Sequence, residues 1–336
     1  MFLGIDISKA TLDAAFLPSQ DATKARHKTF SNTPAGHQQL LDWLQNQLPN
    51  DPQNHAPARA HACLEATGSY GGAVARALYD AGHAVSVVNP AAVHALGKSQ
   101  LKRLKTDKAD ALLIARFCVV ARPALWSPPA PHHEQLQGLV RRLEALDEMK
   151  QMEENRLENT HEGDAVQASL LDHIAYLQGQ IEATRRHIQD HIAAHPALRE
   201  QAQLLSSIPG IGQTTAAALL AELGDLSQFQ NARQVAAFAG LAPCVRESGS
   251  SVRGKPRLSK IGSPRLRKCL YFPAMAALRW NPLIQALGQR LSDKGKCKML
   301  ILGAAMRKLL HLAYGVLKSG KPFDANFNPQ TSISCP

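Results

Sequence analysis

Two kinds of apolar spacing meet at a proline-rich break, and that break divides the chain. Pro123, Pro128, Pro129 and Pro131 fall within nine residues, a density that neither a helix interior nor a central strand accommodates. Before the break, strand-like runs alternate with helical patterns. Phe2 to Ile7 and Thr11 to Leu17 read as strands joined by a tight turn. Thr33-Pro34 predicts a helix start, with Leu40, Leu41, Leu44 and Leu48 on one face. Ala60 to Glu65 reads as a third strand ending at a Gly-rich turn, Gly68 to Gly72. A helix to about Ala81, a strand over Ala84 to Val88 broken by Asn89-Pro90, and a helix from about Thr106 to Val120 complete the pattern. Such alternation predicts an α/β domain with a mixed sheet.

Beyond the break the spacing is helical throughout. Leu136, Leu139, Leu143 and Leu146, then Leu170, Ile174, Leu177, Ile181, Thr184 and Ile188, recur every three or four residues over 134–193. That is the seam of a coiled coil, either a hairpin within the chain or an arm for a second copy. From Leu204 the chain reads as a small, mainly helical domain. Ile208-Pro-Gly-Ile-Gly212, followed by Thr214 to Leu223, fits a helix-hairpin-helix, in which the backbone N–H groups of Gly210 and Gly212 approach a phosphate. A plain helix–turn–helix packing unit fits the same residues. The expected fold class is thus α/β plus α. Its divisions are a carboxylate domain over 1–125, a linker and coiled-coil segment over 126–200, a basic domain over 201–320 and a disordered tail over 321–336.

Charge is distributed as unevenly as spacing. The chain carries a net +11. Between Arg246 and Lys308 fifteen Lys or Arg face two acids, Glu247 and Asp293, so this window alone nets +13 and the remainder about −2. A field this concentrated suits a polyanion, and nucleic acid is the expected partner. The six cysteines are scattered, with no CxxC pair, which suits reduced thiols rather than disulfides or zinc. No run approaches the roughly 18 apolar residues of a membrane helix. The opening residues lack the pattern of a secretory leader, so a cytoplasmic protein with no membrane partner is expected.

Four carboxylates stand out. Asp6 sits inside an apolar strand, where an ionised side chain is costly unless it is paired or binds metal. Glu65 ends another strand. Asp107 and Asp110, three apart, share one helical face. Together they offer an all-oxygen donor set of the kind Mg²⁺ prefers, able to stabilise charge developing on a phosphoryl group. Blander readings exist for each: Asp6 paired with Lys9, Asp107 capping its helix, Asp110 decorating it.

At this point Gly4-Ile5-Asp6, Leu64-Glu65-Ala66-Thr67-Gly68 and Lys105-Thr106-Asp107-Lys108-Ala109-Asp110-Ala111 resemble the DEDD signature of an insertion-sequence transposase family. It is the "IS one-ten" family, bridge-RNA-guided recombinases related to the Piv DNA invertases. The C-terminal half matches too, in Ile208 to Gly212, Phe238-Ala-Gly-Leu-Ala-Pro243, Ser248-Gly249, Lys260-Ile-Gly262, Arg265-Leu-Arg267 and Ala277 to Pro282. The resemblance covers the chain to about Leu317. It implies a RuvC-like, RNase H-like N-terminal domain in which Asp6, Glu65, Asp107 and Asp110 hold Mg²⁺ (or Mn²⁺). It implies that Ser248 attacks the scissile phosphate and forms a transient 5′-phosphoserine link. It further implies donor and target DNA, a structured guide RNA, and a homodimer assembling to a tetramer, so that the carboxylates of one subunit could act with the serine of another. Within Ser248-Gly-Ser-Ser251, Ser248 is the choice the family pattern makes; ordinary loop serines would look the same. Arg253, Lys255, Arg257, Lys260, Arg265, Arg267 and Lys268 would grip phosphates of DNA or guide RNA, as would Lys98, Lys102, Arg103, Lys105 and Lys108 near the metal. Aromatic residues make up only 5% of the chain, which argues against recognition mainly by stacking on single strands.

Three other readings share these residues. A resolvase or nuclease would use metal-activated water, with Ser248 structural. A DNA-architectural protein would use the hairpin motif alone. An actin-like sugar kinase is suggested by the opening Gly-Ile-Asp-Ile-Ser-Lys, but no second phosphate loop or adenosine-site signature accompanies it.

Overall fold

The computed structural model describes residues 1–49, 58–66, 68, 70–100, 106–161, 163, 165–244, 247–248, 252–253 and 257–326. The chain forms two compact units, Met1–Pro128 and Pro129–Pro336.

In the first unit β1 (Phe2–Ile7), β2 (Thr11–Leu17) and β3 (Arg26–Ser31) form a meander in which β2 is antiparallel to both β1 and β3. The helix α1 (Pro34–Gln45) follows, then β4 (His61–Glu65), α2 (Gly72–Asp80), β5 (Ala84–Val88), α3 (Pro90–Ser99) and α4 (Asp107–Ala121). β4 lies parallel to β1, and β5 parallel to β4, giving the order β3-β2-β1-β4-β5. The mixed sheet is as expected. Leu3, Ile5 and Ile7 of β1 share a core with Leu40 and Leu44 of α1 and Val74 and Leu78 of α2. On the other face Cys63 and Val88 meet Val93 of α3 and Leu113, Ile114 and Cys118 of α4.

Local signals set these elements. Thr33 Oγ1 accepts from Gly36 N at 3.2 Å, with Pro34 in the first turn. Thr106 Oγ1 accepts from Ala109 N at 3.2 Å, and Asn89 caps α3 by accepting from Ala91 N at 2.9 Å. Asn89-Pro90 therefore both ends β5 and starts a helix, which the strand-breaking reading did not foresee. β3 was also unforeseen: it is an edge strand with only Phe30 buried, so it carries almost no apolar alternation. The proline-rich break is not a free linker at its start. Trp126 N donates to Val85 O at 2.7 Å, and Ser86 Oγ reaches the carbonyls of Pro123 and Ala124, so the segment lies along the β5 edge.

The second unit begins with α5 (Pro131–Leu157) and α6 (Ala165–Ala194), which pack on each other as a hairpin within the chain. α7 (Pro196–Ser206), α8 (Gln213–Leu223) and α9 (Ala232–Phe238) lead to a ribbon of four two-residue strands, β6 (Pro243–Cys244), β7 (Glu247–Ser248), β8 (Val252–Arg253) and β9 (Arg257–Leu258). β6 pairs with β9 and β7 with β8, both antiparallel. α10 (Pro264–Trp280), α11 (Pro282–Asp293) and α12 (Lys298–Ser319) complete it. A coiled-coil segment distinct from the basic domain was expected. Instead Leu136, Leu143, Leu146, Leu177, Ile181 and Ile188 share one core with α7 to α12, because the leucine stripe of α5 finds α8 as well as α6 to cover it. α12 is long and apolar enough to cross a membrane by composition, but half of its apolar stretch is buried inside this core. Part of the expected disordered tail is docked: Phe323 packs against the core and its N–H donates to Ser207 Oγ at 2.8 Å.

Candidate active site

Strand alternation places the first two carboxylates. Successive side chains of a strand point to opposite faces. Leu3, Ile5 and Ile7 take the α1–α2 side, which leaves Phe2, Gly4 and Asp6 on the α4 side. By the same rule Cys63 and Glu65 of β4 share that side. Gly4 is what lets the helix come close. A Cβ built on Gly4 would collide with the carbonyl oxygen of Ala111 and the amide nitrogen of Ala115, so α4 rests its backbone directly on β1. One turn before that contact, Asp107 and Asp110 stand in the first turn of α4, where the helix dipole favours anions.

Electrostatics records the convergence. Burial raises the carboxyl of Asp6 above its ordinary range, and Asp110, Asp107 and Asp13 raise it further. Burial raises Glu65 likewise, followed by Asp6 and Asp110. Asp13 faces Asp6 in the β1–β2 register, and its carboxylate accepts from Thr29 Oγ1 at 2.6 Å. None of the four predicted acids has an ion pair with a described residue, so the Asp6–Lys9 pairing is not found. The donors are all oxygen and repel one another, and Asp6 and Glu65 are half-buried, which is the chemistry of a hard divalent cation site. Among the described residues no three His, Cys, Asp or Glu stand close enough to hold an ion as they are. The acids are within Coulombic reach of one another but not closed to coordinating distance. Cys63 and Cys118 are free thiols buried on the same face, with Cys118 Sγ donating to His61 O at 3.7 Å.

Ser248 lies in β7, opposite Val252 of β8. Its backbone alone is described, as is that of Arg253; Ser250, Ser251, Lys255, Lys102, Arg103 and Lys105 lie outside the described residues. The base of the ribbon is locked by two motif glycines. A Cβ on Gly262 would strike Phe238 O and Gly240 N, and Gly240 (φ +70) leaves no room beside the Lys260–Ile261 backbone. Ser259 N donates to Ala242 O at 2.9 Å and Ser263 N to Phe238 O at 2.8 Å.

The predicted phosphate contacts fall into two groups. Lys98, Lys108, Arg257 and Lys260 are exposed, and Gly212 heads α8 with open space where a side chain would stand. The rest are engaged by the protein itself. Arg267 Nη1 donates to Ala239 O at 2.9 Å, Gly262 O at 3.2 Å and Ser263 O at 3.3 Å. Arg265 pairs with Glu144 (3.4 Å) and Glu222 (3.8 Å), and Lys268 with Glu148 (2.6 Å). Gly210 (φ +104) is filled from outside, since a Cβ there would meet Ala277 Cβ and Pro273 O of α10. This face of the turn packs on a helix, so the expected approach of a phosphate to Gly210 has no space on that side. The spatial role of Gly4 had not been read from the sequence, although a lone glycine inside a strand is the signal of close backbone approach.

Comparison with known proteins agrees across both units. A model described as a transposase with the DEDD domain of IS110-type elements matches residues 3–162. One described as "Transposase IS116/IS110/IS902 family" matches 202–289. The chain is 34% identical over 324 residues to the pilin gene-inverting protein of Moraxella bovis, covering 96% of this chain and 97% of that one, and equally so to its counterpart in Moraxella lacunata. It is 28% identical over 162 residues to the insertion element IS110 uncharacterized 43.6 kDa protein of Streptomyces coelicolor, covering 48% and 39%. A DEDD domain of this kind suggests divalent-metal use, and the family implies DNA as substrate. The chain belongs to the IS110 family of insertion-sequence transposases, enzymes that cut and rejoin DNA.

Proposed function

We propose that this transposase cuts and rejoins DNA through a covalent serine link. Ser248 is the nucleophile, and Asp6, Glu65, Asp107 and Asp110 hold Mg²⁺ or Mn²⁺ on an N-terminal domain of the RuvC-like, RNase H-like kind. The observation that carries this reading is the gathering of the four acids on the α4 side of one sheet, where burial and the neighbouring carboxylates raise the proton affinity of Asp6 and Glu65. The strand order β3-β2-β1-β4-β5 supports the fold assignment.

In the first step Ser248 Oγ attacks the scissile phosphorus and loses its proton. The Oγ–P bond forms as the P–O3′ bond breaks, leaving a 5′-phosphoserine and a free 3′ hydroxyl. In the second a 3′ hydroxyl from the exchanged strand attacks that phosphorus and releases Ser248. Phosphodiester bonds are conserved in number, so no nucleotide cofactor is required. A bound divalent cation supplies charge stabilisation at the phosphoryl oxygens and eases deprotonation of the hydroxyl. The chain's own part is to hold that cation with four carboxylates and to present the serine on a ribbon whose base is pinned by Gly240 and Gly262. Arg253, Arg257 and Lys260 hold the DNA backbone beside it.

A structured guide RNA would share the basic surface and supply sequence choice by base pairing. The α5–α6 hairpin would join subunits toward a tetramer through Met152, Leu171 and Tyr176, which it leaves exposed. The full-length likeness to two proteins named for inverting a pilin gene favours inversion as one outcome of the exchange.

Trapping tests this. With a nicked suicide duplex, the wild-type protein should become covalently attached to DNA. Ser248→Ala should bind the duplex without attachment. Cut DNA without attached protein would instead assign the chemistry to metal-activated water.

A further inference from the structure

A second group of like charges stands in the C-terminal unit, and the transposase motifs do not include it. Arg307, Lys308 and His311 lie on α12, and Arg233 lies on α9, which packs against α12. Arg307 and His311 are four apart, hence on one side of the helix. No hydrogen bond or ion pair joins any of these four side chains to a described residue, and no described acid acts on His311. Arg307 Nε and His311 Nε2 are buried without a hydrogen-bond partner. His311 is held below the ordinary histidine range by burial, then by Arg307, Lys308 and Arg233 in that order. A like-charge cluster with orphaned interior nitrogens is an arrangement that packing alone does not favour; such a cluster calls for a ligand of opposite charge.

Its position says which ligand. One turn before Arg307, Gly303 of α12 receives Leu258 of β9, whose side chain lies 3.0 Å from where a Cβ would stand. β9 is one strand of the base of the ribbon that carries Ser248. The cationic cluster is thus the next turn of helix beyond the seat of that ribbon, and exposed Arg233 forms its outer edge.

We propose that Arg233, Arg307, Lys308 and His311 form an anion site that takes a backbone phosphate of duplex DNA next to the ribbon of Ser248. The proposal rests on the reading of this chain as a DNA recombinase. Two arginines give the forked, always-charged donors that suit a phosphodiester. A bound phosphate accepts from the charged ends of Arg233, Arg307 and Lys308 and relieves the repulsion between cations. The site contacts no base edge and so contributes affinity without sequence choice.

The test is a salt titration of binding to a mixed-sequence duplex oligonucleotide, with an RNA hairpin in a parallel arm and thermal unfolding beside it. For Arg233→Gln with Arg307→Met, the slope of log affinity against log salt should fall by about 2. The affinity lost between about 50 and 200 mM salt then becomes about tenfold smaller than in the wild type. The unfolding temperature should hold or rise, because a repulsion is removed; a residue that only supports the fold would lower it. Arg233→Gln alone, at an exposed position, should lower the slope by about 1 and keeps the test available should the double variant not fold. An unchanged slope in both variants overturns the site, and so does a loss confined to the RNA arm. A wild-type protein with no salt-dependent DNA binding overturns the recombinase reading instead.

Discussion

The two units treat like charges differently. In the N-terminal unit Asp6, Glu65, Asp107 and Asp110 gather with no ion pair to a described residue, and the two half-buried members are pushed toward their neutral forms. At the N-terminal end of α10 in the C-terminal unit three cations each have an answering group. Arg265 and Lys268 meet glutamates of α5, and Arg267 meets three carbonyls. Charge left unanswered on a rigid element is poised for a ligand, whereas charge already answered belongs to the fold or must first be released. By that standard the carboxylate face and the Arg307–His311 cluster are the proposed ligand sites, and Arg265, Arg267 and Lys268 are structural or held in reserve.

The largest expected effect breaks the comparison at its acidic end. Ser248→Ala and Asp6→Asn should each abolish recombination, by about a thousandfold or more, while DNA binding persists in a mobility-shift assay. Recombination at wild-type rate by either variant would remove that residue from the chemistry.

Unfolding measurements sharpen the same point. Asp6 has a folded proton affinity above its unfolded one. Its ionised form therefore costs stability at neutral pH, and the cost disappears as pH falls through the folded value. Asp6→Asn should raise the unfolding temperature of the metal-free protein. Mg²⁺ at about a hundred times its dissociation constant should stabilise the wild type by about 2.7 kcal/mol and the variant by less. A variant less stable than wild type without metal would show that Asp6 is satisfied by the protein alone.

Close approach of helix and strand comes next. Gly4→Ala inserts a methyl group against the Ala111 and Ala115 backbone and should destabilise the N-terminal unit by about 1–3 kcal/mol, read from the first transition in calorimetry. Activity should fall further than stability explains, since the same contact delivers Asp107 and Asp110.

Arg267→Met removes the donor shared by three carbonyls and should cost about 1–3 kcal/mol with no change in the salt slope of DNA binding. A reduced slope would return Arg267 to the phosphate contacts. The smallest effect is expected from Glu144→Gln with Glu148→Gln. Freed of their partners, Arg265 and Lys268 should tighten DNA binding a few-fold at low salt, measured by anisotropy.

How much of this was legible beforehand follows from range. The strands β1, β2, β4 and β5 and the helices α1 and α4 declare themselves through apolar spacing and caps a few residues long. β3 and α3 do not. An exposed edge strand has little to alternate, and a helix beginning at the proline that ends a strand hides behind the break. The four acids were legible as residue types in particular contexts, and their motifs named the family. Arg265, Arg267 and Lys268 were legible only as charge, because their partners stand more than a hundred residues away on α5 or across a turn closed by tertiary packing.

By itself the sequence determined β1, β2, β4, β5, α1 and α4 and the acids they carry, since alternation and capping act between near neighbours. Only the tertiary structure decided which charges are left without partners. That depends on what another segment brings alongside: Ala111 and Ala115 against Gly4, the glutamates of α5 against α10, and, among the described residues, charges of like sign beside His311. Electrostatic energy depends on distance in space and on exclusion of water, and neither quantity is written in the order of residues.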